Sequence, residues 1–140
     1  MLDLEQRRVR TERVVARFRD RPFSWTGRRT CLHLARAQMV ALGHKPPKMP
    51  DLRSALGAKR ALAATGHAGI MDLLDSLLPR IAPAGMLIGD LALMEGDDAF
   101  DAVVIAAGGK VLGYHGDDLA RGLVAIEPVV TQPYKAAWRL

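Results

Sequence analysis

The residue most able to do chemistry is Cys31, the chain's single cysteine. Apolar spacing at Leu34, Ala35, Gln38 and Met39 predicts a helix starting near Thr30, which puts Cys31 in its first turn. Helix N-terminal amides and the macrodipole favour a thiolate there, and Arg28 and Arg29 just before it push the same way. A nucleophile so placed needs a base from elsewhere in the fold. His33, two residues along the same helix, points away from Cys31. His44 and His67 follow expected helix ends and read as C-terminal cap residues. His115 is the one histidine expected beside a strand, so it is the candidate base, with Asp101 or Asp90 to orient it. The competing reading is equally physical: a lone cysteine on the apolar side of a helix is usually packing.

One cysteine excludes an intramolecular disulfide, and the four histidines lack zinc-ligand spacing. The Asp97-Asp98 and Asp117-Asp118 pairs lack a calcium-ligand series and read as turns. No metal and no cofactor is expected.

The elements that must position Cys31 can be read in two halves of one domain, residues 1–140. Residues up to about 80 are helical in pattern. Asp3 can cap a helix to about Asp20, with Leu4, Val14, Val15 and Phe18 in its apolar stripe, and Arg21-Pro22 ends it. Phe23 to Gly27 is expected as an ordered loop with two buried aromatics. Gly43 closes the Cys31 helix. A third helix is expected from Asp51, as cap, to about Thr65, and a short fourth over 69–79. From about residue 86 the pattern turns to strands: Met86–Met94 with Gly89-Asp90 in its middle, Ala102–Ala106, Lys110–His115 after a Gly108-Gly109 turn, Gly122–Ile126, and Tyr134–Leu140. The expectation is α+β, with N-terminal helices packed on a small C-terminal antiparallel sheet.

The charge is lopsided. Residues 1–60 hold 15 Lys and Arg against 5 Asp and Glu, and the remainder reverses the sign with 5 against 10. The first helix concentrates Arg7, Arg8, Arg10, Arg13 and Arg17, a candidate docking face for an acidic partner surface or simply a solvated helix face. Without interleaved aromatics or a nucleic-acid motif, this pattern argues against nucleic acid as the partner. No apolar run approaches the ~20 residues that span a bilayer. The N-terminus lacks the apolar core of a secretory signal, so synthesis in the cytoplasm is expected.

Several segments resemble the papain-like, NlpC-type cell-wall peptidases. Phe23-Ser24-Trp25-Thr26-Gly27-Arg28-Arg29-Thr30-Cys31 is similar to the "Phe-x-Trp-Gly-x-x-Asp-Cys" segment that opens their catalytic helix. Gly89-Asp90-Leu91-Ala92-Leu93 resembles their "Gly-Asp-Leu-Val" strand. Asp101-Ala102-Val103-Val104-Ile105 stands where "His-Val-Gly-Ile" is found, followed by a similar hairpin, Gly108-Gly109-Lys110-Val111-Leu112. The ending Ala137-Trp138-Arg139-Leu140 is similar to that of a small family of phage and prophage proteins whose genes commonly lie among tail-tip genes.

The resemblance implies a papain-like fold and a place in the virion, at the tail tip, with other tail or baseplate proteins as partners. Two departures bear on catalysis. Thr30 replaces the aspartate before the cysteine, and Asp101 falls where the family histidine belongs. A carboxylate there would raise the thiol pKa and be a poor base for it. The resemblance therefore implies a catalytically inactive tail-assembly subunit on a degenerate peptidase fold. The alternative is a cysteine endopeptidase or amidase that cleaves peptidoglycan during phage entry, with Cys31 as nucleophile and His115 as base.

Overall fold

The computed structural model describes residues 2–96, 101–114, 119, 121–126 and 134–140. Among these, four α-helices precede a six-stranded sheet: α1 (Leu4–Phe18), α2 (Cys31–Ala41), α3 (Ala55–Ala64), α4 (Ile70–Leu77), then β1 (Arg80–Ile81), β2 (Leu91–Met94), β3 (Ala102–Ala106), β4 (Val111–Gly113), β5 (Val124–Ile126) and β6 (Tyr134–Trp138). The architecture is α+β, as the change of sequence period implies. Every strand pairing is antiparallel, in the order β1-β6-β2-β3-β4-β5.

The helix starts follow from local chemistry. Asp3 caps α1 in a reciprocal capping box with Gln6, Thr30 caps α2, and Ser54 rather than Asp51 caps α3. His44 and His67 lie just past helix ends, where their backbone amides donate to Met39 and Leu62 carbonyls. Gly108 and Gly109 both take positive φ, as a tight β3–β4 hairpin demands.

The 86–94 segment is only half strand. Pairing begins at Leu91, because the chain turns back at Gly89, whose φ is +91°. The segment at Arg80–Ile81, just past the expected end of the fourth helix, pairs with the end of β6.

The sheet is apolar on both faces. Leu91, Leu93, Val103, Ile105, Ala136 and Trp138 join the core shared with the helices. Ala92, Met94, Val104, Val111, Ile126 and Ala137 form a second cluster. This is why β2 and β3 read as continuous apolar runs. On α1, Leu4 is exposed and does not join the stripe; the buried face is Arg7, Thr11, Val14, Val15 and Phe18. Among the described residues no helix is long and apolar enough to cross a membrane.

Candidate functional site

Cys31 is the first residue of α2, directly after the buried cap Thr30, and packs at the edge of the core against β3. The Thr30 hydroxyl accepts the His33 backbone N–H at 3.3 Å and lies 2.7 Å from His33 Nδ1. Which of the two donates in the Thr30–His33 side-chain bond follows the imidazole tautomer. Burial, and then the charge of Arg28, hold the His33 imidazole below its ordinary pKa. His33 thus serves the start of its own helix.

The loop before Cys31 is a closed turn. Ser24 and Arg29 exchange backbone hydrogen bonds of 2.9 Å, Ser24 Oγ accepts the Gly27 N–H, and Arg28 sits at φ +59°. Phe23 packs edge-on to Trp25 at 5.7 Å and to Tyr114 at 5.5 Å. Phe23 and Trp25 are half-buried rather than enclosed. The turn is ordered, as the sequence implies, and through Phe23 and Tyr114 it is tied to the residue just after β4.

The electrostatics of Cys31 oppose the sequence-based expectation. The backbone amides of Val103, Cys31 and Leu32 do favour the thiolate, but burial outweighs them and pushes the thiol above its ordinary pKa. The helix terminus acts in the expected direction and loses to desolvation.

Asp101 lies two residues before Val103, ahead of β3. Its carboxylate accepts from Lys135 Nζ at 2.7 Å, an ion pair that raises the lysine pKa. Asp101 is therefore committed to a cation on β6. His115, the candidate base, lies outside the described residues, as do Asp97, Asp98, Asp117 and Asp118. Among the described residues no group of three or more His, Cys, Asp or Glu side chains could hold a metal.

Asp90, the alternative orienting residue, is fully buried and committed elsewhere. It accepts from Arg7 Nη2 at 2.5 Å, Arg139 Nε at 2.8 Å, and the backbone amides of Leu87 and Leu140. Arg7 completes its own bonding with the carbonyl oxygens of Ile88 and Leu140. Gln38, also buried, donates to Thr11 Oγ1 and to the Gly89 carbonyl. These contacts clamp α1 and α2 onto the turn that precedes β2.

The arginine face of α1 needs correction accordingly. Arg7 is not a surface residue: it is buried against Asp90, because it shares the helix face of Thr11, Val14 and Phe18. Arg8 is paired to Glu5 and Glu12, and Arg10 donates to the Ala41 carbonyl. Arg13 and Arg17 remain exposed. A charged residue at core spacing was the available signal for Arg7. The spacing carries no hint of its distant partner.

A second concentration of cations was not evident from the sequence. Arg17, Arg28, His33, Arg36 and Lys48 surround one concavity of about 350 Å³ beside the start of α2. They come from four stretches of chain, so no local pattern announces them.

The terminal Ala137-Trp138-Arg139-Leu140 segment is structural. Trp138 is fully buried, its indole N–H donates to Asp75 Oδ1 at 2.8 Å, and the Arg80 guanidinium lies 5.4 Å from its ring centroid. Arg139 bridges Asp90 and the Gly85 carbonyl. No curated protein matches the chain. The family model for a domain of unknown function (DUF6950) matches residues 3–140, and the chain belongs to that family.

Proposed function

We propose that the chain is a phage tail-tip or tail-assembly subunit built on a degenerate NlpC-type, papain-like fold, and that it does not cleave peptide bonds. The observation that carries the loss of activity is the Asp101–Lys135 ion pair. At the position where the resembled peptidases keep a histidine, this chain has a carboxylate already neutralised by a lysine. Such a group cannot take a proton from a thiol whose own pKa burial has raised. The tail role rests on the resemblance of the loop before Cys31 and of the Trp138-Arg139-Leu140 ending. In this reading the virion tail tip is its location, and other tail or baseplate proteins are its partners.

One observation favours the enzymatic alternative. Cys31 occupies the first position of α2 beside β3, with three backbone amides directed to favour its thiolate. In a peptidoglycan endopeptidase or amidase the same amides would stabilise an oxyanion. Incubation of the purified protein with peptidoglycan separates the two readings. No release of soluble peptides is expected; release that disappears in Cys31→Ala establishes the enzyme. The assembly role is tested by immunodetection of the chain in purified virions, and its absence from the particles removes that role.

A further inference from the structure

The concavity beside α2 gathers like charges without neutralising them. Arg17, Arg28, Arg36 and Lys48 line it together with His33, and no carboxylate is among its described lining residues. Elsewhere on the same surface the arrangement is opposite: Arg8 lies between Glu5 and Glu12, and Arg80 is paired to Asp75. Among the described residues none of the four cations makes an ion pair. Two are steadied by other contacts. Arg17 lies 5.7 Å from the Phe18 ring centroid, and Arg36 Nε donates to the Pro47 carbonyl, leaving its terminal nitrogens without a partner. Held together in this way, four uncompensated cations create a local potential that draws anions.

Apolar side chains line this basin as well as the cations. Ala37, Val40 and Met49 line it, and Val40 is half exposed although it belongs to a helix packed on the core. Next to it lies a second concavity, of about 160 Å³, between α2, α3, α4 and the proline-rich connector. Leu52, Leu62, Leu73 and Leu77 are among its walls. The two share Arg36, Lys48 and Met49, so an apolar slot opens beside a basic basin.

We propose that the slot and basin together form a docking groove for an extended acidic segment of a partner protein, with an aliphatic side chain in the slot and carboxylates on Arg28, Arg36 and Lys48. The chemistry selects this occupant. A single carboxylate on a hydrocarbon chain would leave most of the cations uncompensated. A polyphosphate or nucleic-acid backbone would bring nothing apolar to the slot, and the groove presents no exposed aromatic for base stacking. A peptide that alternates acidic and aliphatic residues satisfies both halves. Charge would steer it in, and the slot would set its register. This deepens the assembly reading, on which it rests only for the identity of the protein that supplies the segment.

The test is fluorescence anisotropy with the full chain and a fluorescein-labelled peptide of alternating Glu-Asp and Leu. Saturable binding is expected, weakened about tenfold by the charge reversals Arg28→Glu and Lys48→Glu together, and severalfold by Lys48→Glu alone. Both residues are exposed, and circular dichroism checks that the variants fold. Lys110→Glu, an exposed change at the β3–β4 hairpin and outside the lining of both concavities, is expected to change binding by less than about twofold.

A peptide with serine in place of leucine should bind severalfold more weakly. Absence of saturable binding at low salt overturns the groove. So does an equal loss in Lys110→Glu, or equal affinity for the serine peptide, since either would mean unspecific attraction. Displacement of the peptide by inorganic phosphate, a fatty acid or duplex DNA at similar concentration assigns the basin to another ligand and also overturns it. Failure here leaves the presence of the chain in virions untouched, and absence from virions leaves peptide binding untouched.

Discussion

Arg7 and Asp90 meet at 2.5 Å in the interior, with side-chain exposures of 1% and 0%. Burying two charges is costly, and their attraction compensates only if the remaining polar atoms are also bonded. Here they are. Asp90 accepts from two guanidinium groups and two backbone amides, and Arg7 donates to two carbonyls as well. The pair therefore fastens α1 to the turn before β2 and to the end of the chain.

Removing one member leaves the other stranded. Arg7→Met should destabilise the protein by about 3 kcal/mol, the low end for a broken buried pair, because Arg139 still faces Asp90. Arg8→Ala, a change of the neighbouring arginine, should have a much smaller effect, since Arg8 is an exposed member of surface pairs. Urea unfolding of the two variants checks the contrast. Equal effects would mean that Arg7 is not the fastening residue.

Gly89 sets where β2 begins. Its φ of +91° disfavours any side chain, and a Cβ there would lie 2.8 Å from Thr11 Oγ1 and 3.1 Å from Gln38 Nε2. Gly89→Ala should therefore cost about 2–4 kcal/mol, combining a strained backbone with the displacement of two buried polar groups. The same unfolding measurement applies. A loss below about 1 kcal/mol would show that α1 and α2 can give way at this point.

The boundaries of α2 and β3 were legible because each is decided locally: Thr30 is a capping residue, Leu34 and Met39 keep helical spacing, and Ala102–Ala106 is an unbroken apolar run. The Arg7–Asp90 contact was not legible. It joins residues 83 positions apart, and an arginine in an arginine-rich helix looks like surface. From the sequence Asp90 was only a residue that could orient a base; neither its amide partners nor its two guanidinium partners could be inferred. At the candidate site the sequence indicated the position of Cys31 and the sign of the helix effect. It carried no measure of desolvation, and desolvation decides the thiol's pKa.

That desolvation has a kinetic consequence. Only the thiolate reacts with iodoacetamide, so a raised pKa keeps Cys31 slow at neutral pH. The alkylation rate should climb only as pH passes above the ordinary thiol range. A rate plateau already reached near pH 7 would mean a stabilised thiolate and would revive the enzymatic reading.

Acid should expose a second electrostatic contact. The Asp75 carboxyl is lowered to about 2, chiefly by its bond to Arg80 and then by the Trp138 indole N–H. A carboxyl whose folded pKa lies below its unfolded value stabilises the fold above the unfolded value, and that contribution fades as pH falls through the folded one. Wild type should therefore lose this increment between about pH 4 and pH 2. Asp75→Asn keeps an acceptor for Trp138 but has no charge to lose. Since the Asp75–Arg80 pair is more than a third exposed, solvent screening keeps its contribution small. The stability gap between wild type and Asp75→Asn should be open at pH 7 and close by pH 2. Absence of a gap already at pH 7 would show that the Trp138 hydrogen bond, which Asp75→Asn keeps, and not the charge, accounts for what Asp75 contributes.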